Sequence, residues 1–131
     1  MVERCFHVVL PDDWARRPGR GWAPRSLALC GFIHASTASQ LAGTLEEHYA
    51  DATDVYLLEL CPLRTADALR FEASRDGALF PHLYRELEPE DVLRWWKLHS
   101  RGGRWKLPDF AVRHADDGPS GHDGTPPDQL P

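Results

Sequence analysis

Three histidines are the residues of this sequence whose surroundings point most strongly to chemistry. His7, His34 and His82 each lie in or beside an apolar run rich in β-branched and aromatic residues, which is typical of strands. A buried imidazole needs a hydrogen-bond partner, and a pocket with several convergent polar groups would supply one to all three. We therefore predict that the three rings line one site. The alternative for each ring is a structural histidine that is hydrogen-bonded within a sheet.

A hydroxyl group follows two of these histidines at the spacing that places side chains on one face of a strand. Ser36 lies two residues after His34, and Tyr84 lies two residues after His82. Phe32 also points to the face of His34. The spacing predicts two pairs of an imidazole and a hydroxyl group. For Ser36 the alternative role is to assist the cap of the following helix.

The segment 72–77 concentrates a carboxylate, a hydroxyl group and a guanidinium group in a short loop. Loops of this composition often form sites for polar ligands, and Glu72 and Arg75 are its candidate ligand contacts. The alternative is a turn that bonds to itself, with Arg75 paired to Asp76 or Glu72.

Basic and aromatic residues alternate between residues 92 and 107, where the sequence has no acid. This composition suits phosphate contacts and base stacking, whereas the alternative is a hairpin with one tryptophan face in the core. Residues 1–113 carry 15 Lys and Arg against 16 Asp and Glu, a net charge of −1. Nucleic acid is therefore not the expected partner, because nonspecific binding to it relies on a large basic field.

The strands that must position these residues follow from apolar spacing and turn signals. Residues 54–60 form a nearly continuous apolar run, which predicts a central strand. Gly102-Gly103 predicts a hairpin between strands at 92–98 and 104–107. Further strands are predicted over 4–10, 31–36, 69–73 and 83–86.

Few helices are predicted. A capping box at Thr37 to Gln40 predicts a helix over 38–50, and Asp12 or Asp13 is expected to cap a short helix through Trp14. A loop rich in Pro, Gly and Arg is predicted over 17–25. The fold class is therefore α+β, with a mainly antiparallel sheet.

Residues 1–113 are predicted to form a single globular domain, and residues 114–131 a disordered tail. The tail consists mostly of Pro, Gly and Asp with a single large apolar residue, so it has little surface to bury. The sequence has no run of about 20 apolar residues and no secretory signal pattern at its start. We therefore expect a cytoplasmic protein with no membrane partner.

Several segments, in order between residue 4 and about residue 108, resemble a family known as domain of unknown function 952. The most specific pair of motifs is G-F-I-H-A-S at 31–36 and F-P-H-L-Y at 80–84. The complete set of segments is Phe6–Val8, Gly31–Thr37, Gln40-Leu41, Val55–Glu59, Leu69–Glu72, Gly77–Tyr84 and Asp91-Val92.

The resemblance implies a relationship to the ADP-ribosyltransferase fold, in which a split antiparallel sheet holds NAD in a cleft. The resemblance implies this fold, NAD or an ADP-ribose-like nucleotide as the small-molecule partner, and a transferase or glycohydrolase activity, with no metal. His82 stands where that fold has a late acid, and Glu72 is the nearest carboxylate. The implied catalytic residues are His34, His82 and Glu72, and the implied cofactor-binding residues are His7, Ser36, Thr37, Arg75 and Tyr84.

Three other functions are consistent with the same residues. Three imidazoles on a sheet can hold a tetrahedral zinc ion with an open position for water, which would give a metal-dependent enzyme. The His34-Ala-Ser36 motif resembles half of a two-histidine site for RNA-end phosphodiester chemistry. The third alternative is a small-molecule binding module without catalysis. The sequence gives no basis for an oligomeric state.

Overall fold

Two antiparallel sheets form the framework of the protein in the computed structural model, which describes residues 3–74, 77–108 and 121–127. The strands are β1 (Cys5–Val9), β2 (Ile33–His34), β3 (Ser36–Thr37), β4 (Asp54–Leu60), β5 (Leu69–Ala73), β6 (Leu79–Leu83), β7 (Val92–Arg101), β8 (Arg104–Trp105) and β9 (His122–Asp123). The larger sheet has the order β3-β1-β4-β7-β8, with β9 also paired to β7. The smaller sheet has the order β2-β6-β5. The predicted α+β class and mainly antiparallel pairing are confirmed.

Strand β4 lies at the centre of the larger sheet, as its apolar run predicts. It pairs with β1 on one side and β7 on the other, and its residues 55–60 are all buried. Leu58 joins a core cluster with Trp14 and Ile33, whereas Leu57 joins a second cluster with Leu41. Neighbouring residues of a strand point to opposite faces, so β4 contributes to the core on both sides of the sheet.

Short helices connect and cover the strands: α1 (Pro11–Ala15), α2 (Arg25–Cys30), α3 (Leu41–His48) and α4 (Pro62–Thr65). The backbone N–H of Thr37 donates to the side-chain oxygen of Gln40 (3.0 Å), as the capping box predicts, and a 3₁₀ turn at Ala38–Gln40 leads into α3. Helix α2 follows the predicted loop and was not predicted itself. Within the described residues, no helix combines the length and apolar character needed to span a membrane.

The chain changes sheets at Ala35, so the prediction of one strand over 31–36 is wrong. His34 belongs to the smaller sheet, and Ser36 belongs to the larger sheet, opposite Phe6. The N–H of Ala35 donates to the carbonyl of Pro81 (3.0 Å), but Pro81 has no N–H to continue the ladder. Pairing between β2 and β6 therefore stops at this point, and the chain is free to turn toward β1.

Strand β6 spans Leu79–Leu83, earlier than the predicted strand over 83–86, and it contains Pro81. Proline is tolerated in strands only where its missing N–H leaves no ladder bond unmade. Here the nitrogen of Pro81 faces Ala35, the residue at which pairing with β2 ends.

The predicted hairpin at Gly102-Gly103 is confirmed. Both glycines have positive φ angles, of 58° and 80°, and Arg101 pairs with Arg104 across the turn. Two successive residues with positive φ are the requirement of a type I′ turn, which glycine meets without strain. Trp96 of this hairpin is buried in the core, so the basic and aromatic run is built as a sheet hairpin.

The tail prediction is wrong for residues 121–127, which pack against the larger sheet. His122 lies against Trp95 with ring centroids 4.5 Å apart, and β9 pairs with β7. The indole N–H of Trp14 donates to the carbonyl of Pro126 (3.3 Å), and Pro126 is buried. The composition of the tail does not reveal this, because the apolar surface in the contact belongs mainly to the tryptophans. The rest of the predicted tail lies outside the described residues.

Candidate functional site

The smaller sheet brings His34 and His82 together. Their Cα atoms are direct partners in the antiparallel pairing of β2 with β6. The two ring centroids lie 5.6 Å apart, with the ring planes nearly perpendicular. His34 is exposed, whereas His82 is only 6% exposed. These imidazoles come from segments almost fifty positions apart in the sequence, and the pairing of the two strands makes them neighbours.

A carboxylate orients His82. Its Nδ1–H donates to Oε1 of Glu72 (2.9 Å), on the neighbouring strand β5, and the hydroxyl of Tyr84 donates to the same oxygen. In the neutral ring this hydrogen bond places the proton on Nδ1, so Nε2 carries a lone pair. The arrangement is that of a histidine base held by an acid, and the free nitrogen is the one that can accept a proton.

The charge states of the site follow from these contacts. The hydrogen bond from Tyr84, followed by the one from His82, lowers the pKa of Glu72 below its ordinary value. The same hydrogen bond to Glu72 raises the pKa of Tyr84. Desolvation of one side of the exposed ring, followed by the nearby His82, lowers the pKa of His34. Near neutral pH the site therefore combines an ionised carboxylate, a neutral tyrosine and a neutral His34.

Phe32 is one of two residues at this site, with Arg70, that the sequence prediction did not assign to function. Its ring stacks on His82 with centroids 4.0 Å apart, and it meets His34 edge-on at 5.0 Å. It also lies 5.4 Å from the ring of Tyr84. The signal in the sequence was its two-residue spacing from His34, which placed both on one face. The guanidinium of Arg70 lies 5.6 Å from the centre of the Tyr84 ring.

His7 does not line this surface, so the prediction of one site for all three imidazoles is wrong for His7. Its Nδ1–H donates to the backbone carbonyl of His34 (2.7 Å), and its Nε2 accepts from the indole N–H of Trp22 (2.8 Å). Burial lowers the pKa of His7 to about 4, so the ring is neutral. Both nitrogens are engaged, which leaves none for a ligand or a metal ion. His7, on β1 of the larger sheet, instead holds β2 through the backbone carbonyl of His34.

Ser36 and Thr37 bond to residues in and just before α3 and not to the imidazoles. The hydroxyl of Ser36 shares a hydrogen bond with Thr44 (2.8 Å), and that of Thr37 lies 3.3 Å from the hydroxyl of Ser39. Both residues are buried, so their assignment to cofactor binding is corrected to a structural role at α3. The cause is the change of sheet at Ala35. The hypothesis of RNA-end chemistry depends on His34 and Ser36 lying in one site. The two residues belong to different sheets, so the motif does not form such a site.

Two further predictions concern metal and Arg75. The part of the chain that the structure describes contains no group of three or more His, Cys, Asp or Glu side chains placed to hold a metal ion. With both nitrogens of His7 engaged, the three-histidine zinc site has lost one ligand. Arg75 was assigned to cofactor binding and lies outside the described residues.

A small apolar cavity of about 150 Å³ lies on the other face of β5. Leu69 and Phe71 line it together with Cys5 and Leu60. Because strand residues alternate between faces, Glu72 and His82 lie on the opposite side of the sheet. Burial raises the pKa of the Cys5 thiol to about 11, which keeps it protonated. The cavity is therefore separate from the imidazole site.

Comparison with known proteins finds similar solved structures, all of protein CC0527 from Caulobacter crescentus. Its X-ray crystal structure is 30% identical over 79% of this chain and 94% of that chain, with a TM-score of 0.69. Its solution NMR structure is 29% identical over 78% of this chain and 90% of that chain, with a TM-score of 0.66. None of the curated proteins gives a significant match. The family model described as protein of unknown function (DUF952) matches residues 8–95, and the chain belongs to this family.

Proposed function

We propose that this protein binds NAD or an ADP-ribose-like nucleotide at the surface formed by Phe32, His34, His82 and Tyr84, and acts on it as a transferase or glycohydrolase. The observation that carries the proposal is the orientation of His82 by Glu72, which leaves Nε2 of His82 free beside His34. The class of ligand comes from the relationship to the ADP-ribosyltransferase fold that we expect for this family.

The aromatic surface suits a planar heterocycle. Tyr84 is 39% exposed. The centroid of the Phe32 ring lies 5.4 Å from that of Tyr84 and 5.0 Å from that of His34. Stacking of a base on an aromatic side chain contributes about 1–3 kcal/mol. Arg70 is exposed beside Tyr84 and can donate to a phosphate oxygen. These groups fit the base and the phosphates of a nucleotide.

The acid and base groups suit cleavage of a glycosidic bond. In NAD the bond between C1 of the ribose and the nicotinamide nitrogen breaks, nicotinamide leaves as the neutral base, and the oxygen of water or of an acceptor hydroxyl bonds to C1. Nε2 of His82 accepts the proton of the attacking water or hydroxyl, and Glu72 stabilises the imidazolium that forms. A positioned general base contributes about 10²–10⁴-fold to the rate. The neutral His34 beside it can hydrogen-bond the same ligand.

Isothermal titration with NAD and with ADP-ribose tests binding. We expect the wild-type protein to bind at least one of them, and we expect Tyr84→Ala and His34→Ala to weaken binding at least about tenfold, since each removes a ligand contact. His99→Gln is the matched control, because His99 bonds to Asp54 on the larger sheet (2.5 Å). Absence of binding by the wild-type protein at about 10 mM ligand would contradict the proposal.

Glu72→Gln separates catalysis from binding. The amide keeps the shape of the side chain but cannot hold the imidazolium by charge, so turnover of NAD should fall by about 10²-fold or more while binding persists. The measurement is the release of nicotinamide, followed over time. If the wild-type protein binds NAD but releases no nicotinamide, the result would support the binding-module alternative instead.

A further inference from the structure

The outer edge of β5 has backbone groups that face away from the sheet. Among the described residues, β5 pairs only with β6. The N–H of Tyr84 donates to the carbonyl of Ala68 (2.8 Å), and the N–H of Ser74 donates to that of Ala78 (2.9 Å). Antiparallel pairs alternate between bonded and non-bonded, so the even-numbered residues bond to β6. The odd-numbered residues then turn their N–H and C=O outward: Leu69, Phe71 and Ala73.

Pro81 confirms this alternation independently. It stands opposite Phe71, has no N–H, and directs its carbonyl to Ala35 on the other side of β6. Phe71 therefore exchanges no backbone hydrogen bond with β6. Its N–H and C=O are both directed to the open edge of the sheet.

The side chains of β5 are complementary to a second, antiparallel copy of the same strand. Arg70 and Glu72 stand two residues apart on the face of His82. If two copies pair antiparallel with Phe71 opposite Phe71, Arg70 of each copy lies opposite Glu72 of the other. Cross-strand pairs of opposite charge stabilise a sheet. In the same register the outward-facing residues of one copy form backbone hydrogen bonds with those of the other. The backbone and the charged side chains therefore favour the same alignment of the two strands.

The other face of the edge is apolar and exposed. Phe71 is 43% exposed, and Leu79, on the neighbouring strand, is 57% exposed. Natural sheet edges are commonly protected by lysines, prolines or bulges. Strand β5 has no proline, and its opposite charges match each other in the antiparallel register instead of repelling a second copy. The edge has the properties of a pairing surface.

We propose that two copies of this chain associate through β5, antiparallel and centred on Phe71, to form a two-fold symmetric dimer. The two smaller sheets then join into one continuous sheet. Arg70 of the partner subunit lies beside Glu72, next to the imidazole site. The interface is short, so the dimer is of modest affinity and is in exchange with the monomer. This proposal does not depend on nucleotide binding.

Sedimentation analysis between about 1 and about 500 µM tests the association. The wild-type protein should shift from monomer to dimer with concentration. Arg70→Glu places like charges opposite each other and should raise the dissociation constant at least about tenfold. The double variant Arg70→Glu with Glu72→Arg restores opposite charges and should recover most of that loss. Ala73→Pro removes an outward-facing N–H and should also weaken the dimer, whereas Ala73→Ser, which keeps it, should not.

Amide hydrogen exchange of the wild-type protein gives a readout that needs no variant. The amide of Phe71 should exchange more slowly as the protein concentration rises, because dimerisation covers it. Circular dichroism verifies that each variant is folded. A protein that is monomeric throughout the concentration range would overturn the proposal. So would a dimer that Arg70→Glu and Ala73→Pro leave unchanged.

Discussion

The surroundings of each imidazole, and not its place in a strand, decide what it can do. The Nδ1–H of His82 donates a hydrogen bond to Glu72, and Nε2 is free at the surface of the site. His7 uses both nitrogens, between the carbonyl of His34 and the indole of Trp22. The first arrangement leaves a group for chemistry, whereas the second fixes the position of β2. His7 therefore serves the site through the backbone of His34.

The sequence could predict part of the site. His34 and His82 were identified because they interrupt apolar strands, and Tyr84 by its spacing from His82. The role of His7 depends on Trp22, and Trp22 is held by a backbone bridge to Leu87. This contact joins segments that are far apart in the sequence. Local patterns of apolar residues therefore could not predict it.

Stability in mild acid should depend on His7. Burial lowers its pKa from 6.5 to about 4 in the fold, whereas the unfolded chain binds a proton at the ordinary value. The free energy of unfolding should therefore decrease as the pH falls from about 6.5 to about 4, by about 3 kcal/mol from this group. Urea unfolding across that pH range measures it.

His7→Gln supplies the comparison for this pH dependence. Glutamine offers a donor and an acceptor but does not titrate, so its unfolding free energy should vary less over the same range. A variant that is less stable overall but retains the full slope below pH 6.5 would show that other groups cause the acid sensitivity.

At the scale of the elements, local signals predicted those strands and turns whose formation depends on neighbours in sequence. Examples are the apolar run of β4, the capping box before α3 and the Gly102-Gly103 turn. The change of sheet at Ala35 was missed, because it depends on Pro81, which lies far along the chain. The packing of 121–127 was missed for the same reason: the surface that holds Pro126 belongs to other elements.

Removal of residues 121–131 should destabilise the fold. It exposes parts of Trp95 and Trp96 and leaves the indole N–H of Trp14 without the carbonyl of Pro126. We expect a loss of about 1–3 kcal/mol, typical of an unsatisfied buried donor together with lost packing. Thermal or urea unfolding, followed by tryptophan fluorescence, measures the change.

The control for this truncation ends the chain after Pro127. It keeps β9 and the contact of Pro126 with Trp14, so its stability should match that of the full chain. Equal stability for both truncations and the full chain would show that β9 does not support the core.

At the scale of the whole molecule, β4 couples the two core clusters. Leu57 and Leu58 are both fully buried, but one packs with Leu41 and the other with Trp14. Because one strand contributes residues to both clusters, the loss of either cluster also destabilises the other. The domain should therefore unfold as one unit.

Leu57→Ala and Leu58→Ala test this coupling. Each substitution should cost about 2–5 kcal/mol, the usual range for a buried leucine, and both variants should unfold in one transition by circular dichroism and by fluorescence. Leu93→Ala is the matched control, because Leu93 is 41% exposed and its loss should cost little. Two separated transitions in either core variant would contradict the account.

The most direct test of the central claim is an NMR titration of the histidine rings with ADP-ribose. The nitrogen and carbon signals of the imidazoles report on each ring separately, and the protein has seven histidines. The signals of His34 and His82 should shift in proportion to the ligand bound, while those of His7 and His99 should change little. Signals of His34 and His82 that stay unchanged up to about 10 mM ligand would contradict the assignment of this surface as a nucleotide site.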